Sequence, residues 1–128
     1  MTKIVYIEDN PQNLRLIKRM LSHTGYEVFE AQTGKDGLTL IEELVPDLIL
    51  LDINLPDIEG TEVAQIVKAD DRLKHIPIIA LTANAMHGDR ERFLLMGCEG
   101  YIAKPVSRTE LNTTVEMFLG TQNNSDNT

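Results

Sequence analysis

Five short apolar runs, at residues 3–7, 27–31, 48–51, 78–81 and 101–103, recur along the chain, each of strand length. The first, third and fourth are near-continuous Ile, Val and Leu rather than alternating apolar and polar, as in strands covered on both faces. Such strands imply a parallel sheet. Between the runs, apolar residues take up helical spacing: Leu14, Ile17 and Leu21; Leu38, Ile41 and Leu44; Val63, Ile66 and Val67. Strand and helix therefore alternate five times.

Residues suited to helix ends punctuate this pattern. Asn10 can accept a bond from a free amide at a helix start, and Pro11 follows where a missing N–H costs nothing. Gly25 suits a left-handed stop. Ser107 with Glu110 three residues later forms a capping box for a last helix running to about Leu119. The Asn-rich, aperiodic residues 121–128 are expected to be a disordered polar tail after one domain spanning 1–120. Five strands and four or five helices fill this length. Right-handed crossovers then predict an α/β fold, a flavodoxin-like doubly wound (βα)5 three-layer sandwich with strand order 2-1-3-4-5.

Composition narrows the function. The 128 residues are 42% hydrophobic, enough for one core, and no run approaches a membrane span or a secretion signal, so a cytoplasmic protein is expected. A net charge of -8 disfavours direct nucleic acid binding, which draws on Lys and Arg. The single cysteine, Cys98, can form neither an internal disulfide nor a zinc site and is read as core filler rather than a reactive thiol. His23, His75 and His87 lack the spacing of a zinc pair and are read as surface or capping residues, His87 being a candidate partner contact. The Gly34-Lys35 pair lacks the spacing of a phosphate-binding loop, and no dinucleotide fingerprint follows the first strand. The triplets beginning at Asn112 and Asn123 would matter only in a secreted chain.

In doubly wound sheets, ligands bind beyond the carboxyl ends of the strands where strand order reverses. Here that crevice lies between strands 1 and 3. Strand 1 ends in Glu8 and Asp9, and strand 3 in Asp52. Three converging carboxylates repel unless a cation neutralises them, and an all-oxygen site with room for water suits Mg²⁺. Singly, each acid reads equally well as a solvated loop residue. Thr82 ends strand 4, and Lys104-Pro105 follows strand 5 at the same edge. The lysine can pair with the acids or a phosphoryl oxygen, although alone it reads as a surface charge and Thr82 as a strand-end filler.

Taken together, Glu8-Asp9, the Asp52-x-x-x-Pro56-x-x-x-Gly60 signature, Thr82-Ala83 and Lys104-Pro105 resemble the receiver domains of bacterial two-component systems, over residues 3–119. The stretches from Glu8 to Asn13 and from Leu81 to Asp89 are closest in style to receivers of hybrid kinases and to single-domain cell-cycle receivers. The resemblance implies that Asp52 is the phosphoacceptor, Asp9 a direct Mg²⁺ ligand and Glu8 an acid acting through metal-bound water. Asn54 would ligate through its backbone carbonyl. Thr82 would be the switch hydroxyl, Tyr101 the aromatic that moves with it, Lys104 the phosphate-pairing lysine, and Lys104-Pro105 a cis bond. Tyr101 also reads as a half-buried strand aromatic.

The expected function is phosphorelay signalling by a response regulator. A sensor histidine kinase or histidine phosphotransfer protein donates the phosphoryl group, and a downstream protein reads the face of helix 4, strand 5 and helix 5. A monomer or phosphorylation-dependent dimer is expected. Met1 and the polar tail favour a natural stand-alone protein over a receiver excised from a hybrid kinase, the alternative that stays open. The chain would not be an enzyme beyond its own phosphorylation and dephosphorylation. Two rivals differ in class. A haloacid-dehalogenase-like phosphatase would need an acid where Asn54 stands, and a pseudo-receiver would act by contact alone, without phosphorylation.

Overall fold

A computed structural model describes residues 2–83 and 89–126. Its elements run β1 (Lys3–Ile7), α1 (Pro11–Leu21), β2 (Glu27–Ala31), α2 (Gly34–Leu44), β3 (Leu48–Asp52), α3 (Gly60–Ala69), β4 (Ile78–Thr82), α4 (Asp89–Leu95), β5 (Gly100–Ala103) and α5 (Arg108–Asp126). The sheet is parallel throughout, in the order β2-β1-β3-β4-β5. This is the flavodoxin-like doubly wound sandwich expected from the apolar runs.

Strand alternation divides the core in two. On β1, β3 and β4, Val5, Ile7, Ile49, Leu51, Ile78 and Ala80 point to the side packed with Ile41 of α2 and Val63, Ala64 and Val67 of α3. Ile4, Tyr6, Leu48, Leu50, Ile79 and Leu81 point the other way, onto Leu14 and Ile17 of α1 and Leu111, Val115 and Leu119 of α5. A strand sandwiched in this way has no polar face, which explains the continuous apolar runs. Cys98 is buried in the first of these clusters, and burial pushes its thiol up to about 11.

The expected caps form. Asn10 Oδ1 accepts from the amides of Gln12 at 2.8 Å and Asn13 at 3.3 Å, and Ser107 Oγ accepts from Glu110 N at 3.1 Å. A 3₁₀ turn, Ser22–Thr24, extends α1 to Gly25, which takes the left-handed conformation at φ 85°.

Two expectations are corrected. Ile66 is exposed, because Gly60, Val63, Ala64 and Val67 form the inward stripe of α3 and turn it outward. Helix α5 does not stop near Leu119 but continues to Asp126. Elongation adds one backbone bond per residue with no new nucleation cost, so weak helix formers can extend a helix already anchored by Leu111, Val115 and Leu119. His87 and Asn84 lie outside the described residues.

A carboxylate crevice at the strand ends

The register of the sheet builds the site. β1 pairs with β3 up to Ile7↔Leu51, so the next residues, Glu8 and Asp52, emerge side by side. β3 pairs with β4 through Asp52↔Leu81, and β4 with β5 through Thr82↔Ala103, which brings Thr82 and then Lys104 to the same edge. The backbone N–H of Lys104 donates to the Thr82 carbonyl at 2.8 Å and fixes that corner. The Lys104-Pro105 bond is cis.

Glu8, Asp52 and Thr82 are buried, 1%, 3% and 2% exposed, whereas Asp9 is open to solvent. Carboxylate oxygens of Glu8, Asp9 and Asp52 lie within 4.8 Å of one another. Lys104 Nζ sits 3.0 Å from Glu8 Oε1 and 3.3 Å from Asp52 Oδ2. Asp52 Oδ1 accepts from the Asn54 amide at 3.1 Å. Beside these groups opens a cavity of about 330 Å³ lined by Asp9, Asn54, Pro56, Glu59 and Arg92 among others.

The electrostatics follow from crowding. Burial, and then the hydrogen bond and charge of Glu8, push the Asp52 carboxyl up to about 7. Burial also acts to raise Glu8, but hydrogen bonds with Asp52 and Lys104 outweigh it and hold that carboxyl below its ordinary value. Burial alone would lower Lys104, yet its bonds and attraction to Glu8 and Asp52 keep the ammonium above its usual range. The Lys104 ammonium thus faces two of the three clustered acids. The cluster can hold a further cation, and its all-oxygen donors, one of them solvent-facing, fit the chemistry of Mg²⁺.

Other contributors are harder to see in the sequence. The Tyr6 hydroxyl donates to Glu8 Oε1 at 3.0 Å. The strand period of two puts Tyr6 and Glu8 on one face, so the signal was present but indistinguishable from a core aromatic. Burial and then the charge of Glu8 raise the Tyr6 phenol far above its ordinary value, so it remains a donor. Gly60 also has a steric reason. A Cβ there would lie 2.6 Å from the Asp52 carbonyl oxygen and 2.7 Å from Ile53 Cα, so only glycine lets α3 start against the end of β3. Tyr101 is half-buried against the α2–α3 side of the core.

Known proteins resemble this chain in sequence and in fold. The sequence pattern of the response regulator receiver domain matches residues 4–116. The polar-differentiation response regulator DivK of Brucella ovis is 45% identical over 121 residues, covering 94% of this chain and 98% of that protein. Its Brucella anthropi counterpart is 44% identical over 117 residues, 91% of this chain and 95% of the relative. Among solved structures, the receiver domain of a sensor histidine kinase from Pseudomonas aeruginosa superposes with a TM-score of 0.85 at 38% identity, covering 93% of this chain and 98% of that one. That structure has a magnesium ion coordinated in its active-site cleft. A CheY-like receiver from Methanospirillum hungatei gives 0.86 at 31% identity, with 98% of each chain covered. The match runs from the first strand into the last helix and takes in every strand end that feeds the crevice, and the chain therefore belongs to the family of response regulator receiver domains.

Proposed function

We propose that this chain works as a single-domain response regulator in which Asp52 accepts a phosphoryl group from the phosphohistidine of a sensor histidine kinase or a histidine phosphotransfer protein. The supporting observation is the setting of Asp52. It is a buried carboxylate with one oxygen held by the Asn54 amide and the other facing the Lys104 ammonium, and the two residues that follow it, Ile53 and Asn54, line a cavity together with Asp9.

Asp9, Asp52 and the Asn54 carbonyl would hold Mg²⁺, with Glu8 behind them. When bound, the ion supplies positive charge that offsets both the carboxylates and the phosphoryl oxygens. An Asp52 carboxylate oxygen attacks phosphorus in line as the donor's N–P bond breaks. The electron pair of that bond stays on the imidazole nitrogen, which takes up a proton. An O–P bond replaces it, and Lys104 turns from its acid partners toward the new oxygens. Positioning and electrostatics of this kind suffice for phosphoryl transfer without a general acid.

Thr82, buried at the end of β4 on the same edge of the sheet, would supply the hydroxyl that answers the new charge, with Tyr101 moving in concert. The face of α4, β5 and α5 then shifts between two populations, and a downstream protein reads the difference. A cytoplasmic setting accords with the absence, among the described residues, of any helix long and apolar enough to cross a membrane.

Intact-mass spectrometry after incubation with acetyl phosphate, with and without Mg²⁺, tests this reading. The expected result is a metal-dependent gain, stable in acid and labile in base, that disappears in Asp52→Asn. An equal gain in the variant would sink the assignment. No gain in a wild type that binds Mg²⁺ would favour a contact-only pseudo-receiver.

A further inference from the structure

The loop between β3 and α3 carries the Asn54 carbonyl, and the structure shows an unusual anchor for it. Its near end is tied to the sheet, with Ile53 N donating to the Leu81 carbonyl at 3.1 Å and Gly60 N to the Ile53 carbonyl at 2.9 Å. Its middle is tied to a different element. Asp57 Oδ1 accepts from Gly34 N at 2.8 Å and Oδ2 from Lys35 N at 3.0 Å, the first two amides of α2.

These bonds complete the start of that helix. Of the first three amides of the helix, which have no carbonyl four residues back within it, Thr33 takes the third, its Oγ1 accepting from Asp36 N at 3.1 Å, and the first helical bond then runs from Gly37 N to the Thr33 carbonyl at 3.0 Å. The side chain of Ile58 lies so close that a Cβ on Gly34 would collide with it, Cδ1 being 2.8 Å away. Helix α2 is itself seated on β1, because a Cβ on Gly37 would lie 2.6 Å from Ile7 Cγ1. Ile7 directly precedes Glu8 and Asp9. A continuous series of contacts thus runs from the loop of Asn54, through Asp57 and α2, to the strand that delivers the other acids.

We infer that Asp57 is a positioning residue for the cation site: by closing the start of α2 it fixes the loop, and with it the Asn54 carbonyl, relative to Asp9 and Asp52. This rests on the receiver chemistry proposed above. Asp57 touches neither ion nor phosphate and acts through the backbone of the loop.

The test is calorimetric titration of the full chain with MgCl₂ at constant ionic strength, with thermal melts recorded without metal. Asp57→Asn and Asp57→Glu are compared with wild type, the second keeping the charge while displacing the carboxylate. Both should weaken Mg²⁺ binding on the order of tenfold, the usual effect of losing a group that orients a ligand. Phosphorylation by acetyl phosphate should recover at raised Mg²⁺, since Asp52 and Lys104 are untouched. A third variant, Lys35→Pro, removes one donor in a turn where proline is tolerated and deletes a positive charge. It too should bind Mg²⁺ more weakly, against the direction that charge alone dictates, and it keeps the question decidable if either Asp57 variant fails to fold. Unchanged affinity in the folded variants, even with lowered melting temperatures, overturns the inference. Wild-type affinity in Asp57→Glu with weakening only in Asp57→Asn also overturns it, because the effect would then be that of charge. A wild type that binds no Mg²⁺ removes both this inference and the reading beneath it, whereas one that binds Mg²⁺ but takes no phosphate removes the reading alone.

Discussion

Asp52 holds its proton more tightly in the folded chain than in the unfolded one, because burial and the neighbouring Glu8 raise its pKa from the ordinary 3.8 to about 7. The folded state therefore binds more protons across that window, and this group's contribution to stability falls as pH rises from about 4 to 7. Glu8 has the opposite sign: its lowered pKa contributes stability that is present at neutral pH and lost in acid. Metal-free Asp52→Asn should accordingly be more stable than wild type at pH 8, on the order of 2 kcal/mol, with the difference shrinking toward pH 5. Urea unfolding at the two pH values measures it, and equal stability at pH 8 would contradict the origin given for the raised pKa. Adding Mg²⁺ should stabilise the wild type more than the variant. At Gly60, where the added methyl meets backbone that cannot swing aside, Gly60→Ala should cost ~1–3 kcal/mol in the same assay and slow labelling at Asp52. Glu8, Asp9, Asp52, Thr82 and Lys104 were legible in the sequence because each ends or follows a recognisable apolar run. Tyr6 was not, because on its strand it reads as a core aromatic, and Asp57 was not, because its partners lie in another element.

The ends of elements hold the less expected interactions. Lys68, near the end of α3, donates to the carbonyls of Ile76 at 2.7 Å and Lys74 at 3.0 Å, and pairs with Glu99 Oε2 at 2.7 Å. Glu99 Oε1 in turn accepts from Ile78 N at 2.7 Å, so the clamp joins α3, the start of β4 and the turn before β5. Lys68→Met should lose ~1–3 kcal/mol in urea denaturation by leaving these acceptors unpaired. No local pattern announces this clamp, because Lys68 and Glu99 lie 31 positions apart. Local signals fared better where the partner was local, as at Asn10, Gly25 and Ser107. They failed at the end of α5, which runs past the expected stop near Leu119, and at Ile66, where an apolar residue sits outside the buried stripe.

Across the whole molecule, the strand order was readable because continuous apolar runs require cover on both faces, and few topologies supply that in this length. Right-handed crossovers in that order already place α1 on one side of the sheet and α2 and α3 on the other, whereas α5, which no crossover constrains, joins α1 through packing between the two ends of the chain. The two half-cores share one sheet and should unfold together. Ile41→Ala on one side and Leu111→Ala on the other, both fully buried, should each cost about 2–5 kcal/mol while preserving a single transition seen alike by fluorescence of the tyrosines and circular dichroism. Separate transitions would show that the halves are independent.

The contact between Glu8 and Lys104 spans 96 positions, joining the end of the first strand to the residue after the last. A chain cut short before β5, whether unfinished at the ribosome or clipped by a protease, lacks the ammonium that faces Asp52. Only a chain carried through its fifth strand can bring the ammonium to the carboxylates, so the completeness of the crevice reports the completeness of the sheet.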